Sequence, residues 1–528
     1  MKKIHALIFI AGMLCFSCED FLDEVPKDEL AANQNFTQPA HAYSAVNSLY
    51  RTGATQLYDG GVYNGAQAML GNYMSGFFDN EYKGQEVHVQ HAQQLTLNGN
   101  NLNGYIGGIW DNMYRGISRA NNAIKYVPTT PGLTDAERKK LEAEAKFFRA
   151  YAYFNLVKMF GQVPVVTEPY ESLDNLYLER SSIKEVYNLI ESDLKFAVNE
   201  GGLSESSMAN NGGRVTQGAA ATLLADVYLT MSGYPLQEDR YAEAAALAKS
   251  VIQSGNYSLT QHDKDANGNV IPENSAYNKL RMGDASENEY VFYHEFAVNI
   301  SGSNYPQWAY PVSMAQHVAY AITNNAYAPV NDFLWGYDAS NDLRAQEKQY
   351  FHSSLTLSDG EVKTFDTAPY MWHDDQALFE TASSGKDAVI YSYADVLLIA
   401  AEAIARSQGV TAEAADYVAQ VKGRAYWKKG ADQISAELRA LPVEEFVEAV
   451  WGEKFRELVF EFRLWSDIVR THKFPVTSAS RPGEIDFVDV IGHTNHWGKV
   501  FAEKHLLFPL PESERQRNPS LGAQNPGY

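Results

Sequence analysis

Cysteine is almost absent from this chain of 528 residues. The two cysteines, Cys15 and Cys18, lie near the start of the sequence, and no thiol follows them. After Cys18 the chain therefore has no disulfide framework and no cysteine nucleophile. A C-x-x-C pair is also typical of a redox site or of half a zinc site, but no second pair follows to complete one.

Long apolar runs are also missing. Residues 6–14 form one unbroken apolar or small run, which is too short to cross the roughly 30 Å of a bilayer core as a permanent helix. Lys2 and Lys3 precede this run, and the small residue Ser17 precedes Cys18. The pattern predicts a bacterial lipoprotein signal over 1–17, with Cys18 as the lipidated first residue of the mature chain.

Positive charge is scarce, with 43 Lys and Arg against 65 Asp and Glu and a formal net charge of −22. Such a surface repels phosphates, so we expect no nucleic-acid partner. The common nucleotide-binding and hydrolase motifs are absent as well. We therefore expect no enzyme activity and no required cofactor. A glycoside hydrolase stays open as an alternative, since a sequence does not define the spacing of two carboxylates.

Amphipathic helical segments, in contrast, are abundant and come in pairs. Thr134 and Glu137 form a capping box, and apolar residues then recur at steps of three and four to Met159. Around Leu224 and Tyr241 the spacing is typical of a tetratricopeptide repeat. The predicted pairs are 39–52 with 108–126, 134–160 with 181–198, 215–231 with 240–255, and 392–407 with 411–424, followed by one long helix over about 443–471.

Two segments interrupt this helical pattern, about 54–107 and 256–390. Both are rich in Gly, Asn and aromatic residues, with short β-like runs such as 289–296. The sequence therefore predicts a mainly α fold: a single domain over 18–528, with a helical scaffold at about 39–53, 108–255 and 391–471. We expect the two loop-rich excursions to carry the ligand-binding residues, because binding residues usually lie on loops held by a rigid scaffold.

Seven segments along nearly the whole chain have a distinctive sequence: "CEDFLDEVP" at 18–26, "AEAKFFRAYAYFNLVKMFGQVPVV" at 143–166, "RVTQGAAATLLADVYL" at 214–229, "YAEAAALAKSVIQSGNYSL" at 241–259, "YADVLLIAAEA" at 393–403, "EKFRELVFEFRLWSDIVR" at 453–470 and "LFPLPESERQRNPSLGAQNPGY" at 507–528. In these segments and their order the chain resembles the SusD/RagB family of outer-membrane nutrient-binding lipoproteins. Two positions differ from the residue common in the family: Ser392 stands in place of an Arg, and Phe462 in place of a Gly.

The resemblance implies a scaffold of four tetratricopeptide-like helix pairs. It also implies attachment to the outer membrane through the lipid on Cys18, with display on the cell surface. The implied partner is a SusC-like TonB-dependent transporter, to which the protein delivers captured oligosaccharide or polysaccharide. A peptide or glycopeptide ligand remains the alternative, since the same cleft would serve either.

Sugar rings stack on flat aromatic faces, and their hydroxyls bond to Asp, Asn, Gln or Arg. Both excursions contain such residues, and the resemblance implies a site drawn from their loops. The candidate carbohydrate-binding residues are Trp308, Tyr310, Trp335, Tyr337, Trp372, Asp79, Asn80 and Tyr82.

One segment, "DKDANGNVIPEN" at 263–274, follows the start of a calcium loop. Asp263, Asp265 and Asn267 would supply side-chain oxygens, and Asn269 its carbonyl. Asn274, however, stands where a calcium loop has a bidentate Glu. The alternative is a plain turn at Asn267-Gly268, since these residues tolerate positive φ.

Overall fold

Helices dominate the computed structural model, which describes residues 36–51, 66–170, 176–283 and 286–528. Cys18 and the predicted signal lie outside these ranges. No helix within them combines the length and the apolar character needed to cross a bilayer. The helices are α1 (Pro39–Arg51), α2 (Ala66–Ser75), α3 (Val87–Gln93), α4 (Asn103–Tyr126), α5 (Asp135–Phe160), α6 (Ile183–Asn199), α7 (Gln217–Ser232), α8 (Tyr241–Gln253), α9 (Ala276–Met282), α10 (Ser286–Glu289), α11 (Tyr305–Trp308), α12 (Asn331–Leu334), α13 (Tyr393–Gln408), α14 (Ala412–Ala425), α15 (Ala431–Arg439), α16 (Val443–Glu457), α17 (Leu464–Thr471) and α18 (Glu512–Arg517).

The scaffold helices pack in the predicted pairs. Helix α1 packs on α4, α5 on α6, α7 on α8, and α13 on α14. Consecutive pairs are also in contact, through α4 with α5, α6 with α7, and α8 with α13. The predicted helical-pair scaffold is therefore confirmed.

Helix α5 shows how the local sequence sets these boundaries. The Thr134 hydroxyl accepts a hydrogen bond from the Glu137 amide at 3.3 Å, and the Glu137 carboxylate accepts one from the Thr134 amide at 2.8 Å. At the other end Gly161 has φ of +71°, a conformation that costs glycine little because it has no Cβ. Both ends lie where the sequence predicts them.

The prediction of one long helix over about 443–471 is wrong. Helix α16 ends at Glu457, a 3-10 turn spans Val459–Glu461, and α17 begins at Leu464. The cause is Phe462, whose φ of +57° is incompatible with a continuous right-handed helix.

Short strands form four two-stranded antiparallel sheets within the described ranges. The strands are β1 (Phe78–Asp79), β2 (Tyr290–His294), β3 (Ala328–Pro329), β4 (Phe351–Thr356), β5 (Val362–Pro369), β6 (Ala388–Ser392), β7 (Lys473–Val476) and β8 (Asp486–Asp489). Phe78 pairs with Pro329, so β1 and β3 connect the first excursion to the second. Tyr290 pairs with Ser392, so β2 and β6 connect the second excursion to the start of α13.

A buried charge network anchors the second excursion to helix α16. The Arg344 guanidinium is fully buried and bonds Asp342 at 2.8 Å, Glu453 at 2.7 Å and Glu457 at 2.6 Å. Arg344 lies in the excursion, whereas Glu453 and Glu457 lie on α16. Charges so far from water are tolerated only when they are paired, so these bonds hold the two parts in one arrangement.

Arg424 extends the network to helix α14. Its guanidinium bonds Glu289 at 2.7 Å and Glu457 at 2.5 Å, and all three side chains are nearly inaccessible to solvent. Glu289 directly precedes strand β2. The network therefore holds the second excursion at two points, Arg344 and Glu289.

The segment around Asn267 folds into a tight turn. Gly268 has φ of +84°, and its amide bonds the Asp265 carbonyl at 3.0 Å. The Asp265 carboxylate accepts bonds from the amides of Asn267 and Asn269 at 2.8 and 2.9 Å. Asp263 is ion-paired with Lys279 at 2.7 Å. Since both carboxylates already have partners within the turn or on α9, the geometry favours a plain turn.

Replacing Arg344 by methionine should lower the free energy of unfolding by about 3–5 kcal/mol, because Asp342 loses its cation and Glu453 and Glu457 each lose one of two. Lys429→Met is the control, since its pair with Glu437 is exposed and contributes less than about 1 kcal/mol. Urea unfolding followed by circular dichroism measures both. Equal losses in the two variants would contradict the role given to Arg344.

Calcium should leave the melting temperature of the wild-type protein unchanged relative to excess chelator, because the turn at Asn267-Gly268 needs no metal. Differential scanning calorimetry in the two buffers tests this. A rise in calcium that is lost in Asp263→Ala with Asp265→Ala would instead establish the calcium loop.

Candidate functional site

The turn between α16 and α17 separates two cavities, and Glu461 and Phe462 line both of them. The larger one, here called the aromatic cavity, has a volume of about 560 Å³ and lies between this turn and the second excursion. Its aromatic walls are Tyr290, Tyr305, Tyr350, Trp372, Phe460 and Phe462.

Trp372 is the central wall of the aromatic cavity. Its ring centroid lies 5.3 Å from that of Tyr305, at 37° between the planes, 5.6 Å from that of Phe460 and 6.2 Å from that of Phe462. Only 8% of Trp372 is exposed. The indole is thus held rigidly, and part of its surface faces the cavity.

Charged and amide side chains surround the aromatic walls. Arg281, at the end of α9, donates to the carbonyl of His373 at 3.2 Å and packs over the Tyr370 ring. Asp374 accepts a hydrogen bond from the Ser384 hydroxyl at 2.6 Å. The remaining polar groups of the lining on this side are Asp375, Gln376, Lys386 and Asp387. Donors and acceptors therefore lie next to a flat apolar face.

The acids of this cavity differ in electrostatic environment. Burial raises the pKa of Asp387 to about 7, and its carboxylate accepts a hydrogen bond from the Phe296 amide at 3.1 Å. Burial, together with the carboxylate of Asp395, holds the pKa of Glu461 well above its usual range. Glu289 and Glu457, also in the lining, are paired with Arg424. The cavity thus contains two ion-paired carboxylates, Glu289 and Glu457, and two acids, Asp387 and Glu461, whose neutral form is favoured.

Two of the predicted residues come together as a unit. Trp308 and Trp372 lie 6.2 Å apart, and Tyr305 packs between them with its ring 5.0 Å from that of Trp308. Trp372 lines the aromatic cavity, whereas Trp308 packs behind Tyr305 and is 3% exposed. Trp308 therefore supports the wall and does not form its surface.

Three other predicted aromatic residues lie away from the cavity surface. Tyr310 is fully buried, with its hydroxyl bonded to the His373 ring. Tyr337 is 2% exposed and donates to the Arg456 carbonyl at 2.8 Å. Neither presents a ring face to a ligand, because both pack in the core. Trp335 is half-buried and does not line the cavity.

The predicted residues of the first excursion lie apart from the aromatic cavity. Asp79 pairs with Lys83 at 2.6 Å and accepts a bond from Gln93 at 2.8 Å. Asn80 is fully buried and accepts a hydrogen bond from the Tyr82 amide at 2.7 Å. None of Asp79, Asn80 and Tyr82 lines the aromatic cavity, so the structure does not assemble them with Trp372 into one site.

Sequence reasoning missed Phe460, Phe462, Arg281 and Asp387. The replacement of the family's Gly by Phe462 is the one signal that pointed to this turn. His88, in the first excursion, is fully buried, with its ring centroid 3.9 Å from that of Tyr105. No group of three His, Cys, Asp or Glu side chains in the described ranges is arranged to hold a metal ion.

Known proteins match the chain along its length. A family described as "Starch-binding associating with outer membrane" matches residues 20–229, and one described as "SusD family" matches 314–528. The SusD-like protein P2 of Formosa agariphila is 25% identical, with all of both chains covered.

Solved structures have the same fold. A SusD superfamily protein from Parabacteroides distasonis matches with a TM-score of 0.78 and 29% identity, covering 95% of this chain and all of that one. Surface glycan-binding protein A from Bacteroides thetaiotaomicron, in complex with laminarihexaose, matches with a TM-score of 0.69 and 18% identity over 93% of this chain and all of that one. The chain thus belongs to the SusD/RagB family.

Proposed function

We propose that this protein binds glycans at the cell surface and delivers them to a SusC-like TonB-dependent transporter in the outer membrane. The observation that carries the proposal is the aromatic cavity, where the fixed indole of Trp372 lies beside several hydrogen-bonding side chains. Its relatives support it, since one family description names starch binding and association with the outer membrane, and one related structure holds laminarihexaose.

The cavity offers what a sugar ring requires. The apolar C–H face of the ring packs on Trp372 or Tyr305, and the rim side chains Arg281, Asp374 and Gln376 bond its hydroxyls. A site with a few stacked rings and an open, wet rim gives micromolar to millimolar affinity. That range suits a protein that must release its ligand to a transporter.

The proposed role is capture without cleavage. Asp374 and Asp387 are each engaged by a hydrogen bond within the protein, and the family resemblance implies binding rather than hydrolysis. Incubation with a polysaccharide panel that includes starch and laminarin should therefore release no reducing ends.

We also propose that the lipid on Cys18 anchors the protein to the outer leaflet of the outer membrane. Cys18 lies outside the described residues, and the proposal rests on the apolar run before it and the small residue at Ser17. Several acyl chains on one cysteine give stable anchoring.

Trp372→Ala should weaken binding of the retained polysaccharide at least tenfold, a loss of about 1.4 kcal/mol, because the flat face of the wall is removed. Affinity electrophoresis across the panel identifies the polysaccharide, and calorimetry measures the loss. Trp427→Ala is the matched control, since Trp427 is 42% exposed and does not line the cavity.

Wild-type affinity in Trp372→Ala would place the glycan site elsewhere. If peptides from a library are retained and no polysaccharide is, the proposed ligand class is wrong. The cavity assignment still stands in that case if Trp372→Ala also abolishes peptide retention.

Cys18→Ala should abolish display on intact cells, because the acceptor of the lipid is lost. Antibody labelling of intact cells, compared with labelling after lysis, measures the displayed fraction. Cys15→Ala is the control and should label like wild type. Undiminished surface labelling of Cys18→Ala would refute the anchor.

A further inference from the structure

The second cavity, here called the lysine cavity, lies on the scaffold side of the turn between α16 and α17. Its volume is about 110 Å³, and it is lined by side chains of α5, α6, α7 and α17. Lys158, Tyr187, Thr230 and Trp465 are among them. It is too small and too enclosed for a polysaccharide, so the proposed glycan binding leaves it unexplained.

Lys158 supplies the only positive charge of this lining that lacks a direct anionic partner within the described ranges. Its ammonium lies 4.0 Å from the centroid of the Phe154 ring, and no described carboxylate lies within ion-pair distance. Arg463, in contrast, is paired with Asp226 at 2.9 Å and Asp395 at 2.8 Å. Burial lowers the pKa of Lys158 to about 8, so the amine is mostly protonated at neutral pH.

Tyr187 is a second polar group without a partner. It is 3% exposed, yet its hydroxyl forms no hydrogen bond to any residue that the structure describes. Its ring centroid lies 6.4 Å from that of Phe154, the same ring that the Lys158 ammonium lies over. Tyr187 lines the cavity, so a ligand oxygen there would accept the hydrogen bond that the protein leaves unmade.

An apolar groove of about 500 Å³ adjoins the lysine cavity. Tyr234, Pro235, Leu506 and Leu507 line both, and the groove continues to Pro526. Tyr234 is 38% exposed and stacked on the His472 ring. The hydroxyls of a sugar would find few hydrogen-bond partners along this wall, and burying them there would be costly. Burial of an alkyl chain against the same wall would be favourable.

We propose that the lysine cavity and its groove bind a monocarboxylate with an apolar tail, such as a medium-chain fatty acid. The carboxylate pairs with the Lys158 ammonium and accepts a hydrogen bond from the Tyr187 hydroxyl. The tail lies along Tyr234, Pro235 and Leu507. This site is separate from the aromatic cavity and does not depend on glycan binding.

Calorimetry with hexanoate, 1-hexanol and acetate on the full-length protein tests each part of the proposal. Hexanoate should bind at least tenfold more tightly than 1-hexanol, which lacks the charge, and than acetate, which lacks the tail. Raising the pH from about 7 to about 9.5 should weaken hexanoate binding, because the Lys158 ammonium loses its proton across that range.

Lys158→Met should abolish the preference for hexanoate over 1-hexanol and its pH dependence. Lys146→Met is the matched control, since Lys146 also lies over a phenylalanine ring, at 3.7 Å from Phe196, but pairs with Glu142 and does not line the cavity. Should Lys158→Met fail to fold by circular dichroism, Tyr187→Phe replaces it and should weaken hexanoate binding about threefold or more.

Several results would overturn the proposal: no heat with about 10 mM hexanoate, equal binding of hexanoate and 1-hexanol, or unchanged hexanoate binding in folded Lys158→Met or, where that variant does not fold, in Tyr187→Phe. The first result would mean that water fills the cavity and that Lys158 is only solvated there. The other two would mean that the Lys158 ammonium does not bind the carboxylate.

Discussion

The aromatic cavity depends on the buried charge network of Arg344 and Arg424. Glu457 accepts bonds from both guanidinium groups, at 2.6 and 2.5 Å, and also lines the cavity together with Glu289. The cavity floor is therefore made of the same side chains that join the second excursion to helices α14 and α16. Loss of one partner leaves a buried charge without its counter-ion, so the arrangement tolerates little displacement.

A second constraint acts at the wall between the two cavities. Phe462 holds a left-handed backbone conformation, which costs a residue with a Cβ about 1–2 kcal/mol. This conformation interrupts the helix between α16 and α17, and Glu461 and Phe462 line both cavities there. Its ring packs 5.3 Å from Tyr327 and 6.2 Å from Trp372, and this packing offsets the strain. A glycine at 462 would relieve the strain but would leave one wall of each cavity without its ring.

Features set by neighbouring residues were predictable from the sequence, whereas features set by distant contacts were not. The helix pairs follow from apolar periodicity and caps such as Thr134 with Glu137, which act within a few residues. The break at Phe462 was missed because the apolar periodicity continues through it. The positive φ of Phe462 is set by tertiary packing, which the local sequence does not show. Among the aromatics, composition does not distinguish Trp372, at the cavity, from Tyr310 and Tyr337, which long-range contacts place in the core.

The central claim is that the glycan lies between the second excursion and the turn at Glu461–Phe462. Amide hydrogen exchange with and without the polysaccharide that the protein retains tests this most directly. The account predicts slower exchange on binding over residues 371–376, 385–389 and 457–462, with no change over 79–83. Protection confined to 79–83, with 371–376 and 457–462 unaffected, would contradict it.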